Sequence, residues 1–283
     1  MTAPGRLVPL VALVMVAFAA NSVLNRLALT GDDPSGPAAF AAVRLLTGAL
    51  ALVVLVRLRG RGLPLSVRGR WRGTAALALY VLGFSFAYVT LDAGVGALIL
   101  FGGVQITMFA GALWAGERPA PLRWGGAAVA VAGLAWLLWP SGASAPDPAG
   151  AALMAAAALG WGVYSLIGRG ATDPMAETAG NFLRAAPLGL LVWLFMGDAL
   201  TPAGFVLAMI SGAVTSGLGY ALWYTVLPRI ESSVAALAQL TVPVIAVAGG
   251  AVFLGEAVTL RIVLASALVV GGVALGALAR RRS

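Results

Sequence analysis

Cysteine, histidine and lysine are all missing from these 283 residues. Without cysteine there are no disulfides and no thiolate metal sites, and without histidine the usual proton shuttle of neutral pH is gone. Without lysine no Walker A phosphate loop can be built, which excludes ATP hydrolysis by that route. Charge is scarce too. Only 10% of the residues are charged, and each carboxylate, among them Asp92, Glu117, Glu231 and Glu256, lies in a loop or bounds an apolar run.

What remains is apolar. A 61% hydrophobic chain with mean hydropathy +0.98 lies far outside the composition of soluble domains. In lipid the backbone must satisfy its own polar groups, so each long run reads as a spanning helix. Ten such runs occur, at about 7–29, 37–56, 73–91, 94–116, 121–139, 149–168, 176–196, 203–227, 232–254 and 258–279, with boundaries uncertain by several residues. The first is too long for a cleaved leader and has no obvious small-residue cleavage site, so it is expected to be a span. The expected class is an all-α integral membrane protein.

The chain repeats itself. An offset of 139 lays Gly255-Glu256 on Gly116-Glu117, and nearly the same offset lays Arg184 on Arg44 and Arg169 on Arg26. Internal repetition of this kind defines architecture. It divides the chain into a five-helix repeat over 1–140, a linker over 141–148 and a second repeat over 149–283. Five helices per repeat is an odd number, so the second copy enters from the opposite side and the repeats are inverted. Arginine sets the orientation: Arg57, Arg59, Arg61, Arg68, Arg70 and Arg72 crowd the second loop, Arg118 and Arg123 the fourth, and Arg280, Arg281 and Arg282 the tail. By the positive-inside rule both termini are cytoplasmic, in a bacterial inner membrane.

Two five-helix halves, each with Gly-Glu closing its fourth helix, resemble the ten-helix EamA-type members of the drug/metabolite transporter superfamily. The residues that carry the likeness are Pro243 with Leu254-Gly255-Glu256, and Trp114-Ala115-Gly116-Glu117-Arg118-Pro119. Within that superfamily the chain looks most like the aromatic amino acid exporter branch. The resemblance implies export of amino acids or other metabolites through a central cavity between the halves.

Candidate site residues follow from the runs. Pro243 lacks an N–H and leaves the carbonyl of Gln239 without its helical partner. Gly102-Gly103, with Gln105 beside them, occupy the corresponding place in the first half, and paired helix interruptions point to a binding site. A packing kink is the plain alternative. Tyr80, Phe84 and Tyr88 share one helix face, Tyr220 and Tyr224 mark its twin, and Trp161 and Tyr164 lie near the middle of the sixth run. Such rings could stack an aromatic or apolar solute. Tyr88 and Tyr224, near helix ends, read instead as interfacial belt, and Trp71, Trp114, Trp124, Trp139 and Trp193 join them. Asn21 and Asn181 offer amides, either to a solute or to neighbouring helices. Arg44 and Arg184 could anchor a substrate carboxylate, but they are expected off centre, towards opposite faces, which suits gating or structural pairing better.

The expectation is therefore an alternating-access exporter of aromatic and other apolar amino acids or related small metabolites, not an enzyme. It would work by facilitated diffusion or exchange, because no carboxylate stands at the midplane to couple protons. Drug-like or nucleotide-sugar-like solutes are the alternative, as is a non-transporting scaffold. No cofactor, metal or nucleic acid is called for. The partners are the solute and the bilayer, and a monomer is compatible with the pattern.

Overall fold

The computed structural model describes residues 4–62, 71–140, 145–169, 171–230 and 232–278 and is helical, without a strand among them. Arg68, Arg70, Glu231, Arg280, Arg281, Arg282 and residues 141–144 of the linker lie outside the described residues. The first seven helices are Pro4–Leu29, Pro37–Leu58, Trp71–Ala87, Ala93–Trp114, Pro121–Leu138, Pro148–Gly168 and Pro174–Met196. The eighth span, Pro202–Arg229, is π-helical over Ile210–Leu218. The ninth comes in two pieces, Ser232–Gln239 and Thr241–Leu254, and the tenth is Leu260–Leu278. Among the described residues nine spans are long and apolar enough to cross a membrane. The third has 17 residues, about 26 Å at 1.5 Å per residue.

Local chemistry sets the ends. Proline opens the second, fifth, sixth, seventh and eighth helices, where its missing N–H costs nothing and its fixed φ suits the first turn. Asp147, Asp173 and Thr201 cap the N–H groups of Gly150, Ala176 and Gly204. The repeated Gly-Glu has a physical content: Gly116 and Gly255 turn left-handed at φ +80° and +67°. The next N–H then folds back, from Glu117 to the Ala112 carbonyl and from Glu256 to the Gly250 carbonyl.

Helices pack in pairs that exchange under the swap of each helix with the one five places on. The third lies on the sixth as the eighth lies on the first, and the fourth lies on the sixth as the ninth lies on the first. Second packs on seventh, fourth on ninth and fifth on tenth. Small residues permit this closeness, as expected where lipid gives no hydrophobic drive between helices. A Cβ at Gly160 would stand 2.7 Å from the Ala76 carbonyl oxygen and 2.8 Å from the Tyr80 nitrogen. Gly103 faces Ala158 and Gly111 faces Leu166 on the sixth helix, while Gly272 lies against Gly126 and Ala130 of the fifth.

The bundle has two ends. The amino-terminal face, where the first helix begins, carries Arg57, Arg59, Arg61, Arg72, Arg118, Arg123, Arg169 and Arg229. The distal face carries Asp32, Asp33, Asp92, Asp147, Asp198 and Glu256, with Arg26 and Arg261.

Candidate functional site

The site grows from one aromatic cluster where the two halves of the chain meet. Trp161 of the sixth helix stacks on Tyr220 of the eighth, centroids 5.2 Å apart and planes 21° apart, and on Tyr164 at 5.4 Å and 23°. Its other neighbour is Tyr80 of the third, 4.9 Å away. Tyr80 meets Phe84 edge-on, and Phe84 meets Tyr88. Phe182 and Phe18 close on Tyr220 from the seventh and first helices, and Phe18 also reaches Trp223. Edge-on and offset pairs of this kind are worth about 0.5–1.5 kcal/mol each beyond the area they bury.

Into this cluster runs Arg44, fully buried. Its Nε donates to the Ser216 hydroxyl at 3.2 Å and its Nη2 to the Tyr80 hydroxyl at 3.0 Å. Its Cζ lies 5.4 Å from the Tyr80 centroid and 4.9 Å from that of Phe84, within cation–π reach. A second polar web lies beside the first. Asn21 accepts from Ser211 and Thr215, each at 2.7 Å, and Asn25 accepts from Ser85 at 2.9 Å. Ser211, Thr215 and Ser216 all belong to the π-helical stretch, whose wider turn presents hydroxyls to the first and second helices; π segments recur at functional sites.

The two ends of the cluster differ. Towards the amino-terminal face the Tyr164 hydroxyl donates to Thr178 at 2.9 Å, and Thr178 donates to Tyr224 at 3.2 Å. Those residues line a cleft with Ile167, Pro174, Glu177 and Asn181. Beyond it Asp173 pairs with Arg61. Burial raises the Asp173 carboxyl, but the Arg61 hydrogen bond and the Ala176 N–H outweigh it and hold the pKa below the usual range. At the distal face Arg26 donates to the carbonyls of Tyr88 and Val89, and lies 3.6 Å from Asp92 and 3.7 Å from Glu256. Glu256 accepts the Ala93 N–H at the start of the fourth helix at 2.8 Å. Burial raises its carboxyl, with Asp92 adding to the rise and the Ala93 N–H and Arg26 opposing it. Asp198 caps the second helix through Ala38 and Ala39, both at 2.9 Å, and Ser35 meets Thr201.

The structure brings Tyr80, Phe84, Trp161, Tyr164 and Tyr220 together as the sequence suggests. It corrects four expectations. Arg44 ends in the aromatic cluster and not off centre, because its long side chain carries the charge well away from its own Cα. Arg184, half-buried on the seventh helix, is compatible with the structural pairing expected of it. Tyr88 is fully buried, its hydroxyl donating to the Ala93 carbonyl at 3.3 Å, so it is no belt residue; Tyr224 is likewise held inward by Thr178. The fourth helix runs unbroken through Gly102-Gly103, since glycine keeps its N–H and costs only about 1 kcal/mol in a helix. The ninth helix does break, at Leu240, which puts Pro243 in the first turn of the following piece. Gln105 and Gln239 are half-buried outside the ring contacts. Asn181 accepts from Thr74 at 3.2 Å and Asn21 serves the π stretch, so both amides join helices. Trp71, Trp114, Trp124 and Trp139 are exposed, as a belt requires, and Trp193 donates to the Asp198 carbonyl.

Phe18, Phe182, Ser216, Thr215 and Thr178 were not singled out by the sequence. The signal was present: Thr215 and Ser216 precede Tyr220 by about one turn, and Phe182 follows Asn181.

Comparison with known proteins fits this geometry. Residues 148–277 match the EamA-like transporter family. An uncharacterized protein of Pseudomonas aeruginosa is 49% identical over 268 residues, covering 94% of this chain and 92% of its own. A solved crystal structure of another protein superposes with a TM-score of 0.66 over 94% of this chain and 98% of its own, at 24% identity, a likeness of fold. The chain is a multi-pass membrane protein that belongs to the EamA-like transporter family of the drug/metabolite transporter superfamily.

Proposed function

We propose that this chain exports aromatic and other apolar amino acids, or closely related small metabolites, across a bacterial inner membrane by alternating access. The observation that carries the reading is the stack of Trp161 on Tyr220, flanked by Tyr80, at the meeting of helices from both halves. Flat rings recognise flat or apolar solutes, and a site shared by two rocking halves is reached from either side in turn. The paired packing supports two inverted five-helix repeats, 1–140 and 149–283, joined by residues 141–148. The arginine-rich amino-terminal face supports cytoplasmic termini. With the distal face tied by Arg26 and Glu256 and a cleft at Tyr164 and Tyr224, the arrangement fits a carrier closed to the outside. The carboxylates of the described residues stand at helix ends, which supports facilitated diffusion or exchange over obligatory proton coupling.

The test is uptake of labelled tryptophan into proteoliposomes with a panel of competing amino acids, with and without an imposed pH gradient. Competed uptake without the gradient is expected. An absolute requirement for the gradient would overturn the uncoupled mechanism. No uptake in either condition, with insertion verified, would overturn the aromatic substrate.

A further inference from the structure

Arg44 is a fully buried cation in neutral surroundings. Its partners are two hydroxyls, of Ser216 and Tyr80, and two ring faces, of Tyr80 and Phe84. Its Nη1 is buried without a hydrogen-bond partner. A guanidinium has five N–H donors in a fixed fork, so most of this one is unfilled. Arg26 and Arg61 are ion-paired with carboxylates, whereas Arg44 makes no ion pair among the described residues. Ring faces and hydroxyls offset part of the cost of burying a charge, but they do not neutralise it. Such a cation in a span marks a counter-ion or a transported one.

The unfilled edge belongs to the cluster that already offers rings to a solute: Tyr80, which takes one Nη2 bond, is the direct neighbour of Trp161. A carboxylate fits the fork with two parallel bonds, while an ammonium is repelled by it. A neutral aromatic would gain the rings and leave the charge uncompensated.

We infer that Arg44 anchors the carboxylate of the transported solute, which makes the substrate class aromatic and apolar monocarboxylates, with amino acids as one case and the amino group dispensable. This rests on the transport reading above and sharpens it. The solute brings the counter-ion that the protein lacks, so no proton is needed to neutralise the site.

The experiment is thermal stabilisation of the purified full chain by four probes sharing one ring system: indole-3-propionate, tryptophan, 3-methylindole and tryptamine. Indole-3-propionate and tryptophan are expected to stabilise, with the other two needing at least about tenfold higher concentration for the same shift, the scale of a charge-assisted pair. Arg44→Gln is expected to erase that preference, and Arg44→Lys, which keeps charge without the fork, to keep part of it. If Arg44→Gln does not fold, the native panel decides alone. Equal stabilisation by 3-methylindole or tryptamine overturns the carboxylate anchor and leaves aromatic transport standing. A response to none of the four, together with no tryptophan uptake, overturns both.

Discussion

At the distal face a half-buried arginine, two carboxylates and a helix N-terminus are locked together across three helices, whereas at the amino-terminal face the helices are joined by tyrosine and threonine hydroxyls around a cleft. The fourth helix records the same difference along its own length. Residues 93–102 are all buried, while 105–109 are half-buried. Charges partly removed from water hold a closed end firmly, because breaking one leaves another unpaired. Neutral hydroxyl pairs are worth about 1 kcal/mol each and exchange easily. Under the alternating access proposed above, the difference marks the distal end as the shut one and the amino-terminal end as the one ready to move.

Breaking the distal lock should have the largest effect. Arg26→Ala removes two carbonyl contacts and two carboxylate pairings at once, and is expected to cost about 3 kcal/mol of closure. It should be read as faster modification of distal positions in intact vesicles. Glu256→Ala removes both the partner of Arg26 and the acceptor of the Ala93 N–H, at about 1.5–3 kcal/mol, measured the same way. Asp198→Ala uncaps the second helix and should lower stability by about 1 kcal/mol, seen as a lower melting temperature with the closed end retained. On the other face Arg61→Ala breaks a pair whose arginine is 58% exposed, so about 0–1 kcal/mol is expected, with transport close to native.

The smallest effect is that of pH at Glu256. Its carboxyl is raised in the closed state, chiefly by burial, so protons bind more tightly there than when the end is open. The stabilisation is fully present below the usual carboxylate pKa and is lost as pH rises through the raised one. Mild acid on the distal side is therefore expected to favour closure, checked by distal labelling as the distal pH is raised from below the ordinary carboxylate pKa.

The sequence displayed most of this architecture because lipid imposes long apolar runs, and proline, glycine and aspartate mark where each one stops. The rings were legible for a related reason: Tyr80 and Phe84 fall on one helical face, and Trp161 lies too deep for a belt. Other features depend on contacts between helices distant in sequence. The Cα of Arg44 reads as off centre, but an arginine delivers its charge several ångströms away, to Ser216 of the eighth helix. The π-helical widening at Ile210–Leu218 follows from hydroxyls of Ser211 and Thr215 finding Asn21, 190 residues or more away. Tyr88 reads as belt by position, yet the space above Gly96 admits its ring. Gly102-Gly103 reads as a break, yet Leu134, Val269 and Ala158 pack against the bare backbone and hold it helical.

The absence of native cysteine makes one measurement direct. Ser22→Cys, buried one turn below Arg26, and Gly168→Cys, lining the opposite cleft where an added side chain meets open space, are each treated with an impermeant maleimide from either side. Gly168→Cys is expected to be modified from the amino-terminal side while Ser22→Cys is protected; Glu256→Ala should then expose Ser22→Cys from the distal side and protect Gly168→Cys. Modification of both positions at once, from their own sides and indifferent to Glu256→Ala, would contradict alternating access to a shared aromatic site.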